Sequence, residues 1–362
     1  MGAFIIAEAG VNHNGDLDLA RGLIDAACAA GADAVKFQTF TAEEVTIESA
    51  PKAQYQKELT RPDESQLDMI RTFQLSRDAH FGLIGYCRDK GIRFMSSPFD
   101  IDSLHFLCRD LALDILKIPS GEVVNGPMLM AAGQSDCDII MSTGMADLDE
   151  IRAALGVLAY AMTGGTAPSP AAFESAFASD AGRAAIEARV SLLHCTTAYP
   201  TPYDEVNLRA MQTIADAFGL PVGYSDHTPG TVVSTAAVAL GASIIEKHFT
   251  LDRTLPGPDH KASLEPNELA ALVREIRAVE AALGSAEKSP GPTERENMDI
   301  ARKSLVTTKP VKAGEAFSTG NLGIKRPGNG ISPMRYWEWI GKPAGRDYDA
   351  GVLVEEQAGS PS

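Results

Sequence analysis

Lys36 and Lys117 stand inside apolar runs, AVKFQT and ILKIPS, where an ammonium group is costly unless something compensates it. Hydroxyls at Ser97, Ser120, Ser142 and Ser225 close similar runs. Lysine supplies point charge, and hydroxyls with turn amides supply geometry, so together they describe a socket for a small, multiply charged anion such as a phosphate ester. His227 and His248, 21 residues apart, can converge on one divalent metal, because neutral imidazole suits first-row ions. That spacing belongs to no local metal motif. Glu8 could meet the same metal through a water or act as an acid or base. One buried Lys–Glu pair is ordinary structure; the whole set points to metal-assisted chemistry on a phosphorylated small substrate. Position alone stops there.

The elements that must position these groups read as short strands alternating with amphipathic helices. Strands are expected at residues 3–9, 34–39, 92–97, 115–120, 138–143, 190–195, 221–225 and 244–249, rich in Ile, Leu and Val as parallel strands covered on both faces should be. Helices are expected at 17–30, 78–90, 148–161, 205–218, 231–240 and 266–284, the first with Asp16 and Gly31 as caps. Eight strands, most followed by a helix, within about 280 residues is the arithmetic of a (β/α)8 TIM barrel, whose chemistry sits at the C-terminal strand ends. A doubly wound sheet is the alternative, but the first turn, AEAGVNHNGD, matches neither GxGxxG nor GxxxxGK[ST]. The expected division is a barrel over 1–285 with a surface insertion at 163–187, a charged linker at 286–303, a small β-rich module at 304–355 and a disordered tail at 356–362.

Composition narrows the partners. The 362 residues are 44% hydrophobic and carry a net charge of −16, which excludes wholesale disorder and argues against nucleic-acid or anionic-membrane surfaces. No apolar run approaches the length of a membrane span, and the start lacks a secretory pattern. Five scattered cysteines with no CxxC pair read as reduced thiols, so the expected location is the cytoplasm.

The segments IAEAGVNHNG, VKFQTF, SSPFD, KIPSGE, STGM, HCTTAYPTP, GYSDHT, EKHFT and GPDHKAS, with KRPGNGISP near the end, resemble in order the sialic acid synthase family. These are phosphoenolpyruvate-condensing nonulosonate synthases, with a (β/α)8 barrel and a C-terminal antifreeze-like (SAF) domain. The resemblance implies condensation of phosphoenolpyruvate with an N-acylated mannosamine-type sugar and water, giving a nine-carbon 2-keto acid and phosphate. It implies that Lys36, Lys117, Ser120, Ser142 and Ser225 hold phosphoenolpyruvate, with Ser97 keeping a hydroxyl where relatives often have Thr. Thr197 departs from the Asn of some relatives, which leaves one phosphate-side contact open. His227 and His248 would ligate a divalent ion, typically Mn²⁺ with Mg²⁺ or Co²⁺ as alternatives, and Glu8 would lie close to it. Gln38, Tyr199 and Asp259 would face the sugar. Arg326 would reach from the small domain of one subunit into the barrel of its partner in a domain-swapped homodimer. The expected product is N-acetylneuraminate from N-acetylmannosamine; the alternative is a legionaminate, or related nonulosonate, from a 2,4-diacetamido-2,4,6-trideoxy sugar. The APKAQYQ segment at 50–56 looks closer to the sialate and legionaminate branches than to the pseudaminate one. Two other classes compete: an inactive barrel with a carbohydrate-binding antifreeze-like module, and a metal-dependent pyruvate aldolase, which would need no phosphate socket.

Other polar residues read less sharply. His13 stabilises a turn or touches sugar, and His194 is a core histidine in preference to a metal ligand. Glu246 and Asp226 either orient neighbours or react. His80, His105 and His260 read as surface residues, and Tyr336, Trp337 and Trp339 as packing of the small module.

Overall fold

A computed structural model describes residues 2–52 and 64–356. Two compact units divide at Gly284/Ser285. In the first, β1 (Phe4–Gly10), β2 (Ala34–Thr39), β3 (Arg93–Pro98), β4 (Ile115–Ile118), β5 (Asp138–Ser142), β6 (Val190–Cys195), β7 (Val222–Asp226) and β8 (Ile244–His248) form one parallel sheet. Its order, β3-β2-β1-β8-β7-β6-β5-β4, joins the first strand to the last, and β3 lies close to β4 without a ladder between them. The sheet is thus a near-barrel with helices between strands, consistent with the (β/α)8 expectation.

Strand alternation explains why this sequence closes on itself. Residues two apart along a strand face the same side. Ile6, Ala34, Met95, Ile140, Leu193 and Ile244 form a small apolar cluster. Two positions further along the same strands stand Glu8, Lys36, Ser97, Ser142, Cys195 and Glu246, all buried. The interior therefore has an apolar plug with a polar layer above it. β7 contributes Gly223 to the lower layer, where a Cβ would lie 2.3 Å from the Ile244 carbonyl oxygen and 2.7 Å from Leu193 Cδ2, so only glycine fits. The opposite faces carry Ile5, Val35, Phe37, Leu116, Ile139, Leu192, Tyr224 and Ile245 into the main core between strands and helices. The helix Leu17–Ala30 docks there through Leu23, Ile24 and Ala27; the Asp16 carboxylate accepts from the Asp18 and Leu19 amides, and Gly31 ends it at φ 79°.

Several expectations change. The 163–187 stretch holds parts of two helices, Pro170–Ala178 and Asp180–Arg189, each led by a serine cap that outweighs weak periodicity. The expected linker contains the helix Pro292–Ala301. His80 and His260 are buried, not superficial: His80 meets Thr39 Oγ1 at 2.8 Å and His260 meets Thr250 Oγ1 at 2.6 Å. The tail from 357, and residues 53–56 of the APKAQYQ segment, lie outside the described residues.

The second unit pairs β9 (Ser304–Thr307) with β10 (Leu322–Lys325), antiparallel, over a core of its own that includes Leu305, Val311, Phe317, Leu322, Trp339 and Tyr348. Trp339 packs there and Tyr336 lies against it, but Trp337 is exposed. Among the described residues no helix is long and apolar enough to cross a membrane.

Buried histidines make the stability acid-sensitive. His13 Nδ1 accepts the Gly15 amide at 3.0 Å, which is the turn-stabilising reading. Burial lowers its pKa to about 4, and burial does the same for His260. Both rings bind protons more readily unfolded, near pH 6.5, so their contribution is complete above that pH and is lost as pH falls through about 4. The urea midpoint should therefore fall more steeply between pH 6.5 and 4 in the wild type than in His260→Gln, which lacks one such ring; equal slopes in the two would contradict its neutral burial.

Candidate active site

The polar layer opens into a cleft of ≈ 300 Å³ at the C-terminal strand ends. Fourteen residues singled out from sequence line it: Glu8, Lys36, Gln38, Ser97, Lys117, Ser120, Ser142, Thr197, Tyr199, Ser225, His227, Glu246, His248 and Asp259. Arg326 belongs to the second unit, where its Nε donates to the Ala301 carbonyl at 3.0 Å.

Glu246 organises the floor. Its Oε1 accepts from Lys117 Nζ at 3.2 Å and from Ser225 Oγ at 3.1 Å, and its Oε2 lies 3.6 Å from Lys36 Nζ. Lys36 also meets Glu8 Oε2 at 2.7 Å and donates to Ser97 Oγ at 3.0 Å. Register produces these meetings: Glu8 pairs with Lys36 on one side and His248 on the other, and Ser225 pairs with Glu246. A break in register between Glu8 and Gly10, with Gly10 at φ 54°, marks the strand end beside Glu8.

Two glutamates in one polar layer have opposite proton affinities. Burial, reinforced by Glu246 and only partly offset by Lys36, pushes Glu8 up to about 7. Burial acts on Glu246 too, but Lys117 and Lys36 together outweigh it and hold the carboxylate at about 2. Lys36 stays firmly charged: burial opposes, and Glu246 and Glu8 overcome it. Lys117 is drawn below the usual lysine range by burial, with Lys36 adding to that and Glu246 resisting. A divergent pair of carboxyls is the pattern of one proton carrier and one fixed counter-charge. Lys117 is the ammonium with most to gain from an arriving anion.

Beside the lysines, Ser142 Oγ is buried with no hydrogen-bond partner among the described residues, and Ser120 Oγ accepts the Gly144 amide at 3.0 Å. Gly144 is closely packed: a Cβ there would stand 2.4 Å from Thr197 Oγ1 and 2.7 Å from Ser120 Oγ, so glycine lets both hydroxyls close on the strand end. A charged floor with several hydroxyls above it suits a phosphate ester.

The opposite wall holds His227 and His248, ring centroids 5.5 Å apart, with the Tyr199 ring 4.1 Å from His227 and 5.7 Å from His248. These residues fit a divalent cation. His227 Nδ1 bonds the Thr196 carbonyl at 2.8 Å, which leaves Nε2 for a ligand bond. His248 Nδ1 is buried with no hydrogen bond among the described residues, 3.9 Å from Asp259 Oδ2. Burial, then His227 and Lys36, hold His248 far below the usual histidine range, so its ring is the neutral, ligating form. His227 titrates higher, burial being overcome by Cys195 and the Thr196 carbonyl. Burial also raises Asp259 to about 6. Among the described residues no cluster of three or more such side chains makes a closed cage, so a cation held here keeps open positions.

Alternation sorts the remaining residues. His194 points away from the cleft and bonds the Val206 carbonyl at 2.7 Å, as the core reading expects. Asp226 and Lys247 also face outward and form a buried pair at 2.9 Å, with Asp226 accepting from Thr228 and Ser234. The sequence reading missed Cys195, whose Sγ is 3.7 Å from Ser120 Oγ and 3.8 Å from His227 Nδ1. Counting two residues from Leu193 would have placed it inside. It also missed Gly144 and an apolar side of the cleft that includes Phe40, Met69 and Phe73.

A family model described as the NeuB family matches residues 23–288. An N,N'-diacetyllegionaminic acid synthase of Campylobacter jejuni is 50% identical over 97% of this chain and 98% of its own length. The human N-acetylneuraminate-9-phosphate synthase is 34% identical over 94% of this chain and 88% of its own. Among solved structures, an N-acetylneuraminic acid (sialic acid) synthetase of Leptospira borgpetersenii in complex with citrate is 35% identical, covers 82% of this chain and 90% of that one, and superposes with a TM-score of 0.67.

In Gly144→Ala the added methyl should push the Ser120 and Thr197 hydroxyls out of place. Calorimetry with inorganic phosphate should show affinity at least about tenfold weaker in this variant, the loss of a well-made charge-assisted contact. Equal affinity would place the anion elsewhere.

Proposed function

The chain belongs to the NeuB family, a family of carbon–carbon bond-forming synthases, and we propose that it is an N,N'-diacetyllegionaminate synthase. It would condense phosphoenolpyruvate with 2,4-diacetamido-2,4,6-trideoxymannose and water, releasing phosphate. The observation that carries this reading is the 50% identity to a legionaminic acid synthase across nearly the full length of both chains. Sequence motifs alone favoured N-acetylneuraminate; the neuraminate-9-phosphate relative, at 34%, supports that product less well.

In this reading Lys36 and Lys117 take the phosphate and carboxylate charges, while Ser97, Ser120, Ser142, Ser225 and Thr197 fix their geometry. Gln38, Tyr199 and Asp259 hold the open-chain sugar. His227 and His248 would hold a divalent ion, Mn²⁺ by preference, which supplies Lewis acidity for the sugar's aldehyde oxygen. Orientation does much of the rest, because phosphoenolpyruvate is a weak carbon nucleophile and must meet the aldehyde in line. As C3 bonds to the aldehyde carbon, C2 becomes electron-poor and captures water. Glu8, with its raised proton affinity, takes the proton of that water near neutral pH. The proton held by Glu8 passes to the alkoxide left by the aldehyde. The new C2 hydroxyl gives its proton to the departing phosphate as the C2–O bond breaks, and phosphate leaves on Lys36 and Lys117. Glu246 stays ionised and holds both ammonium groups in place throughout. Those contacts serve ground and transition states alike, so the lysines contribute to binding as well as to rate.

Phosphate release measured with Mn²⁺ should be faster with the trideoxy sugar than with N-acetylmannosamine; a preference for N-acetylmannosamine would return the assignment to neuraminate. Glu8→Gln should lower kcat by roughly 10²-fold or more with a much smaller change in KM for phosphoenolpyruvate, in the range of a lost general base. Undiminished kcat would remove Glu8 from proton transfer.

A further inference from the structure

Beyond the polar layer, around the ends of β2 and β3, the cleft has a different character. Phe40, at the end of β2, and Met69, Ile70 and Phe73, from the helix Gln66–Phe73, line it together with Val45 and Phe99. These side chains form an apolar cluster of their own, apart from the main core, with the Phe40 and Phe99 rings edge to face at 6.2 Å. Segments 40–45 and 69–73 bring no ionisable or hydroxyl side chain to the lining. Gln38, two residues before Phe40 on β2, lies where the polar and apolar parts of the cleft meet.

We propose that this apolar wall is a subsite for the C4–C6 end of the acceptor, and that it selects a 6-methyl and a 4-acetamido methyl over hydroxyls. The inference rests on the legionaminate reading and adds to it the residues that choose the sugar. Phosphoenolpyruvate is charged and polar along its length and belongs on Lys36 and Lys117. The aldehyde end of the acceptor must sit between that enol carbon and the histidines. What remains of the sugar extends out of the polar layer, toward the wall. A hydroxymethyl at C6 would bury its oxygen against Met69 and Phe73 with no donor or acceptor among the wall side chains, whereas a methyl loses nothing by leaving water. An apolar pocket of this kind discriminates by about ten- to a hundredfold for a group of one or two heavy atoms.

The test is the ratio of kcat/KM for the trideoxy sugar to kcat/KM for N-acetylmannosamine, in the wild type and in Ile70→Thr and Met69→Gln. Ile70 is half-buried and tolerates a small polar replacement; Met69 is fully buried, and Gln matches its length. A ratio is unaffected by the fraction of enzyme that folds, since both sugars see the same active molecules. Each variant should shift the ratio about tenfold toward N-acetylmannosamine. A ratio within twofold of wild type in both variants would overturn the subsite. The wild-type ratio separately decides the product reading: a value favouring N-acetylmannosamine before any substitution refutes the legionaminate assignment, whatever the variants do.

Discussion

The Glu246 carboxylate, shared between Lys36 and Lys117 inside a parallel barrel, is the constraint from which the rest of the site follows. Two buried ammonium groups within 3.6 Å of one buried carboxylate cannot be left unbalanced, because removing one partner strands the others in a medium that solvates ions poorly. The apolar layer of Ile6, Met95, Ile140, Leu193 and Ile244 closes off the barrel beneath them. Gly223 lets β7 approach closely enough for Ser225 to reach Glu246. On the outer face, the Asp226–Lys247 pair anchors the strand ends next to His227 and His248.

That arrangement also separates two carboxyls chemically. Glu8 and Glu246 both touch Lys36, yet only Glu246 has Lys117 as well. The second ammonium decides which carboxyl keeps its charge and which holds a proton near neutrality. The cleft then divides by character: fixed charge at its floor, two imidazoles on one wall and an apolar cluster on another.

Much of this was legible in the sequence because barrel strands advertise themselves. Lys36 and Lys117 are conspicuous inside Ile- and Val-rich runs, and the eight strands alternate regularly enough with helices to order themselves. Glu246 was visible but its rank was not. Three consecutive polar residues, Glu246, Lys247 and His248, look alike until strand parity turns Lys247 outward. Cys195 was hidden for the opposite reason, as a small apolar residue beside a more obvious histidine. His80 and His260 could not be told from surface residues, since only packing shows that Thr39 and Thr250 satisfy them. The apolar wall had no signal at all. Phe40 and Met69 are 29 residues apart, and nothing separates a cleft-lining Phe or Met from a core one before the chain is folded. The helices within 163–187 were missed because their alanines blur the periodicity, although Ser169 and Ser179 both cap helices there.

The central claim is the division of labour between the two glutamates, and carboxyl titration by ¹³C NMR in metal-free enzyme tests it most directly, with Glu8→Gln and Glu246→Gln assigning the signals. The account predicts that Glu8 titrates at about 7 while Glu246 stays ionised until about pH 2 or the acid unfolding limit. Two glutamates titrating together near the ordinary value of about 4.3 would contradict it.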